Sequence, residues 1–375
     1  MTRTEKLLAE LIALPSVNPA FLPPGHPQAG EQRVADFLAA TGAAAGLEVE
    51  FQKVLPGRSN VIIRLLPKNK IRQTILLAPH LDTVNADETR FHPRSQNGRL
   101  HGRGACDTKG SVAAMLAALG ELAKSKSRPR ETEIVLAGLI DEENAQAGSR
   151  ALVAGGFRAD LAIAGEPTKL QVITAHKGNL WLQLETHGRA AHGALPQLGR
   201  NAVLAMARIV VALETDYAAQ LRQRRHPLLG PGTVNVGTIS GGTQPNIVPD
   251  HCIILIDRRT LPGETEAGVQ REITRLLRSQ KLAATISSVK QAPCPPLETE
   301  VHRPLVQAFL RAAGQARPAG VNYFCDAAVL AAAGIPSVVF GPGDIAQAHT
   351  ADEWISLAQL ERGKNLLLRF FSALA

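Results

Sequence analysis

His80 and Asp82 close the apolar run "QTILLAPHLD", and side chains two apart on a strand share one face. The run "EIVLAGLIDEE" closes on Asp141, Glu142 and Glu143, and "DLAIAGEPT" carries Glu166 at its end. "PSVVFGPGDIAQAHT" runs through a Gly-rich turn to His349, and "GRGACDTKG" sets Asp107 just before a helix. Each residue alone has an ordinary reading. A strand-end acid is solvated or caps the next helix, Asp107 is an N-cap, and His349 is a loop histidine. In an open α/β sheet, however, the carboxyl ends of the strands gather at one edge, where ligands bind. Crowding that many acids there is costly unless something positive compensates. No cluster of Lys or Arg accompanies them, so a divalent metal is the expected compensator.

Imidazole with carboxylate, and no thiolate, suits zinc or cobalt, with manganese also acceptable. His80, Asp107, Glu143, Glu166 and His349 are too many ligands for one catalytic zinc, which takes three and keeps a position open. They suit two metals about 4 Å apart sharing one carboxylate. The charges balance: two divalent ions against three carboxylates and one hydroxide. Asp82 is then expected to orient His80 through its other ring nitrogen. Glu142, adjacent to a ligand, is left to take a proton from water and pass it to a leaving amine. Its alternative is a plain exposed acid.

These residues must be positioned by alternating elements. Helices are expected at 3–14 and 30–43, and strands at 47–54, 60–66 and 73–79. "DTKGSVAAMLAALGELAKS" spaces Val112, Met115, Leu116, Leu119 and Leu122 as a helix does. Short apolar runs follow, and a helix closes the chain at 356–373. Strands alternating with helices predict a mostly parallel sheet between helices. The middle of the chain reads strand, helix, strand, strand, helix, strand, ending with "ATISSVK". That βαββαβ order is ferredoxin-like. The expected division is a catalytic domain formed by 1–176 and 289–375, with a small domain inserted at 177–288.

With 375 residues, 45% of them hydrophobic and 20% charged, the chain has the composition of a globular protein with room for two domains. No apolar run reaches the roughly 18 residues a membrane span needs. Glu5 and Glu10 interrupt the first apolar segment, so that segment is not expected to be a secretory signal and the cytoplasm is the expected location. The net charge of +8 raises a nucleic-acid partner. The basic clusters at 68–72, 124–130 and 222–225 are scattered and lack interleaved aromatics, so they read as solvated faces. Cys106, Cys252, Cys294 and Cys325 form no C-x-x-C pair and are expected to be reduced thiols.

The set "HLD", "GRGACDTKG", "DEE", "GEPT" and "AHTADE", in that order over the whole chain, resembles a family of dinuclear zinc metallohydrolases. The family includes acetylornithine deacetylase, succinyl-diaminopimelate desuccinylase, aminoacylase and glutamate carboxypeptidase. The resemblance implies that His80, Asp107 and Glu166 hold one metal. Asp107, Glu143 and His349 would hold the other, with Asp107 bridging. It makes Glu142 the general base and Asp82 the support of His80. The inserted domain resembles the family's lid or dimerisation domain. "GRAAHGALPQLGRNAV" carries over His192, which would reach the active site of a partner subunit and steady the oxyanion, implying a homodimer. "GGTQPNIVP" and "IDRRTLPG" carry over Asn246 and Arg259 to the substrate carboxylate, the D-x-R spacing from Asp257 favouring Arg259 over Arg258. The turn holding Gly341 and Gly343 would offer backbone N–H groups to the same anion.

The activity implied is metal-dependent removal of an acyl group from an N-acyl amino acid, with attack by metal-bound hydroxide. A carboxypeptidase or dipeptidase would use the same site. A non-catalytic binding protein predicts a broken ligand set, and this one is complete. "GEPT" and "GPGDIAQAHTADE" lean toward the acetylornithine deacetylase branch. "NAQAGSR" after "DEE" lacks a glycine common among relatives, and "FCDAAVL" lies in a region variable between subfamilies.

Overall fold

The computed structural model describes residues 1–289 and 292–374. They form two units. One comprises Met1–Thr174, Thr299–Ala319 and Cys325–Ala375; the other comprises Ala175–Glu298 and Gly320–Phe324.

In the first unit, helices α1 (Arg3–Ile12) and α2 (Gln32–Ala44) precede a hairpin of β1 (Glu48–Leu55) and β2 (Arg58–Leu65). Strand β3 (Gln73–Pro79), helix α3 (Lys109–Ala123), β4 (Thr132–Gly138), α4 (Ala147–Ala154) and β5 (Leu161–Gly165) follow. α1 begins on a capping box between Thr2 and Glu5, which satisfies two otherwise unpaired N–H groups. Residues 56–57 are too short a link for a crossover, so β1 and β2 pair antiparallel, as does β2 with β4. The centre is parallel: β3 lies between β4 and β5 in the same direction as both. Every residue of β4 and β5 is buried, the signature of a parallel sheet covered on both faces.

The spacing of Val112, Met115 and Leu119 predicts one apolar stripe on α3, yet almost the whole helix is buried. Its Ala, Gly and Ser positions form the other faces, small enough to sit against α1 and the C-terminal helix.

The second unit carries β6 (Gly178–His187), α5 (Ala202–Ala212), β7 (Thr233–Gly241), β8 (His251–Thr260), α6 (Glu266–Ser279) and β9 (Thr285–Ser288). The sheet order is β7-β8-β6-β9, antiparallel throughout. Alternation along β6 buries Leu180, Leu182 and Leu184 against both helices and turns Trp181, Gln183, Glu185 and His187 to the open face. The sequence suggests one helix from 200 to 222. Instead α5 opens into a wider turn at Leu213–Tyr217 before a short helix at Ala218–Gln223. The wide turn directs both Leu213 and Tyr217 into the core. Of the run "ATISSVK", Lys290 lies outside the described residues.

The chain returns to the first unit through α7 (Pro304–Ala313), β10 (Ser337–Val339) and α8 (Leu357–Ser372). β10 pairs parallel with β5, giving the order β1-β2-β4-β3-β5-β10 in the part of the nine-stranded sheet that carries the site. Phe309, Phe340 and Phe370 close the core beneath α7 and α8, Phe309 edge-on to Phe340 at 5.0 Å.

The division at 288/289 suggested by the sequence is displaced. The stretch of the second unit that begins at Ala175 runs on to Glu298, and Leu297 and Glu298 pair with His176 and Ala175. Gly320–Phe324 also belongs there: Val321 O accepts from Lys177 N–H at 3.3 Å, and Phe324 stands edge-on to His176.

Candidate metal centre and active site

Four parallel strands, β3, β4, β5 and β10, end at one edge of the sheet. His80 follows β3, Glu142 and Glu143 follow β4, and Glu166 follows β5 directly. His349 comes ten residues beyond β10 and holds a left-handed backbone, φ 61°. Asp107 precedes α3, and the Asp107–Thr108 peptide is cis.

Asp107 sits at the centre. Its Oδ1 lies 3.0 Å from His80 Nε2, and its Oδ2 lies 3.3 Å from His349 Nε2. One carboxylate is thus shared between two imidazoles through different oxygens. His80 Nε2 is also 3.9 Å from Glu166 Oε1, and His349 Nε2 is 3.1 Å from Glu143 Oε2. Two overlapping triples, His80/Asp107/Glu143 and His80/Glu142/Glu166, have donor atoms within 4.8 Å of one another. The six side chains therefore surround one space. All are buried or half-buried except His349, which is half exposed at the rim.

The electrostatics fit a cation between them. Burial, reinforced by Glu166, pushes the Glu142 carboxyl well above its ordinary value. Glu166 is pushed up by burial and by Asp107 and Glu143, and Glu143 by burial and Asp107. Acids that resist ionising beside one another become good ligands once a divalent ion supplies the opposing charge. Asp107 already has positive partners: hydrogen bonds from His349 and His80 outweigh burial and hold it low. His349 in turn is raised to about 10, chiefly by its hydrogen bonds to Asp107 and Glu143. The donor set of imidazoles and carboxylates, without thiolate, fits divalent zinc, cobalt or manganese.

Asp82 does more than its sequence position suggests. His80 Nδ1 faces the Asp82 main-chain carbonyl at 3.0 Å and its carboxylate Oδ1 at 3.4 Å, which leaves Nε2 free to bind. The same carboxylate accepts the backbone N–H groups of Glu142 and Glu143, each at 3.1 Å, and Asn18 Nδ2 at 2.7 Å. It aims the acidic loop as well as the histidine.

Three supporting residues escaped the sequence reading. Glu353 accepts the N–H groups of Gly104, Cys106 and Asp107 at 2.9, 2.7 and 2.9 Å, and pairs with Arg103 at 2.8 Å. It folds the loop that presents Asp107. Asn18 ties Asp82 to Asp141, reaching Asp141 Oδ1 at 3.0 Å. Asp326, fully buried, takes a 2.5 Å hydrogen bond from Ser149, and its Oδ2 has no partner among the described residues. The closing Asp-Glu of "AHTADE" signalled Glu353; nothing in the sequence signalled the other two.

The glycines at 341 and 343 are a correction. Gly341 N–H donates to Thr168 Oγ1 at 3.1 Å, and Gly343 N–H donates to Gln359 Oε1 at 3.0 Å. Pro342 has no N–H, so this turn has no donor left for a substrate anion.

In the second unit, His192 and Asn246 lie on two loops clamped together. His192 bridges Ile247, and Gly193 N–H donates to Asn246 O at 2.7 Å. A Cβ at 193 would meet the Asn246 backbone at 2.9 Å, which only glycine avoids. His192 is exposed, and its Nδ1 accepts Ala194 N–H at 3.0 Å, so the neutral ring carries its proton on Nε2. Arg258 is buried in a fork with Glu264 at 2.7 and 2.8 Å. Arg259 points to the open face, where Asp257 holds it at 3.0 Å.

A mostly parallel sheet with a carboxylate-imidazole centre at its strand ends belongs to the class of metallohydrolases. Residues 76–373 match Peptidase family M20/M25/M40, and the chain belongs to this family. It is 33% identical over 365 residues to an acetylornithine deacetylase of Edwardsiella ictaluri, covering 93% of this chain and 92% of that one. The fold matches that of aminopeptidase PepT from Bacillus cereus with a TM-score of 0.79 at 24% identity, covering 99% and 97%. It also matches an M20 family metallo-carboxypeptidase from Sulfolobus solfataricus, TM-score 0.77 at 19% identity, covering 99% of each chain. The protein is a hydrolase of amide bonds. Among the described residues no helix is long and apolar enough to cross a membrane.

Proposed function

We propose that the chain removes an acyl group from an N-acyl amino acid, using two divalent ions held by His80, Asp107, Glu143, Glu166 and His349. The observation that carries this reading is Asp107, with one oxygen toward His80 and the other toward His349, at 3.0 and 3.3 Å. Bound there, the ions would polarise the scissile carbonyl and lower the pKa of water. Asp107 would be the shared ligand, with His80 and Glu166 completing one position and Glu143 and His349 the other. Asp82 holds His80 by Nδ1 and the acidic loop by two N–H groups, so the donors are fixed before substrate arrives.

Glu142 is the general base and then the general acid. Its buried carboxyl, raised by Glu166, matches the need for a group that takes a proton from water and returns it to the leaving amine. Its Oε atoms lie among the proposed ligands, and a base adjacent in sequence to Glu143 shares the loop that Asp82 holds. His192, with its proton on Nε2, would donate to the oxyanion from a partner subunit in a homodimer. Asn246 and Arg259 would receive the substrate carboxylate, with Asp257 orienting the guanidinium fork. The likeness to acetylornithine deacetylases over nine-tenths of the chain favours an acetylated amino acid as substrate.

A panel of N-acetyl amino acids, N-acetylornithine included, set against dipeptides tests this with zinc or cobalt present. Selective turnover of the acetylated compounds supports the reading. Turnover of dipeptides alone replaces it with a peptidase on the same centre.

A further inference from the structure

We propose that Glu185, His187 and His251, on the open face of the second unit's sheet, form a further site for a borderline transition-metal ion such as zinc, nickel or copper. The site shares no residue with the centre at His80 and Asp107, and it does not rest on the assignment of substrate.

The backbone builds it. Glu185 and His187 are two apart on β6 and so lie on one face. His251 on β8 is paired directly across from His187, on the same face. Directly opposed residues stand about 5 Å apart at Cβ, close enough for two imidazoles to converge on one ion. The side chains do converge. His251 Nε2 is in contact with Glu185 Oε1, and His187 Nε2 lies 3.5 Å from the same oxygen. One donor atom from each of the three lies within 4.8 Å of the others. The two rings are tilted by 39° with centroids 5.5 Å apart, so they fan around a common point.

Two imidazoles and one carboxylate select against magnesium and calcium, which want oxygen only, and suit borderline ions. Three ligands on an open face leave the outward positions to water or to a donor from outside. His187 is 62% exposed, so an ion reaches the site from solvent without any opening of the fold. Bound there, it would tie β6 to β8 near the end of the sheet where both strands leave for their loops.

The test is zinc uptake by the full chain at equilibrium. Metal and protein are measured together for the wild type, His187→Ala, His251→Ala and the double variant. The proposal expects the wild type to saturate at one ion per chain more than the double variant, and each single variant to lose that same ion or bind it many-fold more weakly. Equal stoichiometry in all four overturns it. Copper EPR of protein loaded with only as many zinc ions per chain as the double variant retains is the second measurement. A nitrogen-coordinated copper signal present in the wild type and absent from the double variant supports the site; the same signal in both overturns it. Thermal melting of each variant without added metal identifies one that has failed to fold. In that case Glu185→Gln, which changes one atom, carries the same stoichiometry test with the same two outcomes.

Discussion

Asp82 accepts the backbone N–H of Glu142 through Oδ1 at 3.1 Å, while its own main chain faces His80 Nδ1 at 3.0 Å. A single residue thus fixes a proposed ligand and the loop of the proposed base. Its second oxygen is occupied by Glu143 N–H and Asn18 Nδ2. An asparagine at 82 has one acceptor oxygen for these donors and must abandon at least one. Asp82→Asn is expected to lower metal affinity or kcat by about 10–100-fold, the usual loss when a ligand's support is removed. Metal titration and kcat at saturating metal separate the two effects. Wild-type values for both would show that the loop needs no such anchor.

Glu353 makes a prediction about folding. Its carboxylate gathers three backbone N–H groups of the Asp107 loop and the Arg103 guanidinium, all within 2.9 Å. Both charged partners are almost fully buried. Glu353→Ala leaves Arg103 buried and unpaired, which costs about 3–5 kcal/mol. The variant is expected to melt well below the wild type and to hold metal less tightly, because Asp107 loses its frame. A melting temperature within a degree or two of wild type, a small shift on the scale set by about 1 kcal/mol, would contradict the account.

What the sequence disclosed follows from local rules. A period of two places His80 and Asp82 on one side of the chain, and parallel strands share an edge, so the ligands could be read before their distances were known. What stayed hidden depends on distant partners. Glu353 meets Asp107 across 246 positions, Asp326 meets Ser149 across 177, and Asn18 meets Asp82 across 64. The donors at Gly341 and Gly343 looked free because their acceptors, Thr168 and Gln359, lie on other segments. The wide turn at Leu213–Tyr217 has no residue type of its own, since packing of two side chains selects it.

Glu142→Gln separates binding from chemistry. Glutamine keeps the size of the side chain and removes its basicity. With the five proposed ligands untouched, the variant is expected to retain wild-type metal content and lose about 10²–10⁴-fold in kcat. Elemental analysis and initial rates on the best compound of the substrate panel check this. Substantial retained turnover would remove Glu142 as the base. Loss of metal together with activity would make it a ligand instead, in line with its place beside His80 and Glu166.

Asp326 predicts how pH acts on the chelator-treated chain. Burial raises its carboxyl from 3.8 to about 6. A folded-state pKa above the unfolded value means that the native state holds the proton longer. The associated stability is fully present below pH 3.8 and is lost as pH rises through 6. Two units at 1.36 kcal/mol each set the loss at about 3 kcal/mol, complete above neutrality. Asp326→Asn cannot ionise. It keeps an oxygen for the Ser149 hydroxyl, and any fixed cost of its amide is the same at every pH. The wild type is therefore expected to lose melting temperature between pH 4 and 7 more steeply than the variant does. Divalent metal should flatten the wild-type curve, because a cation at the centre favours ionised carboxylates nearby. Parallel curves for the two metal-free proteins would mean that Asp326 ionises in the folded chain as readily as in the unfolded one.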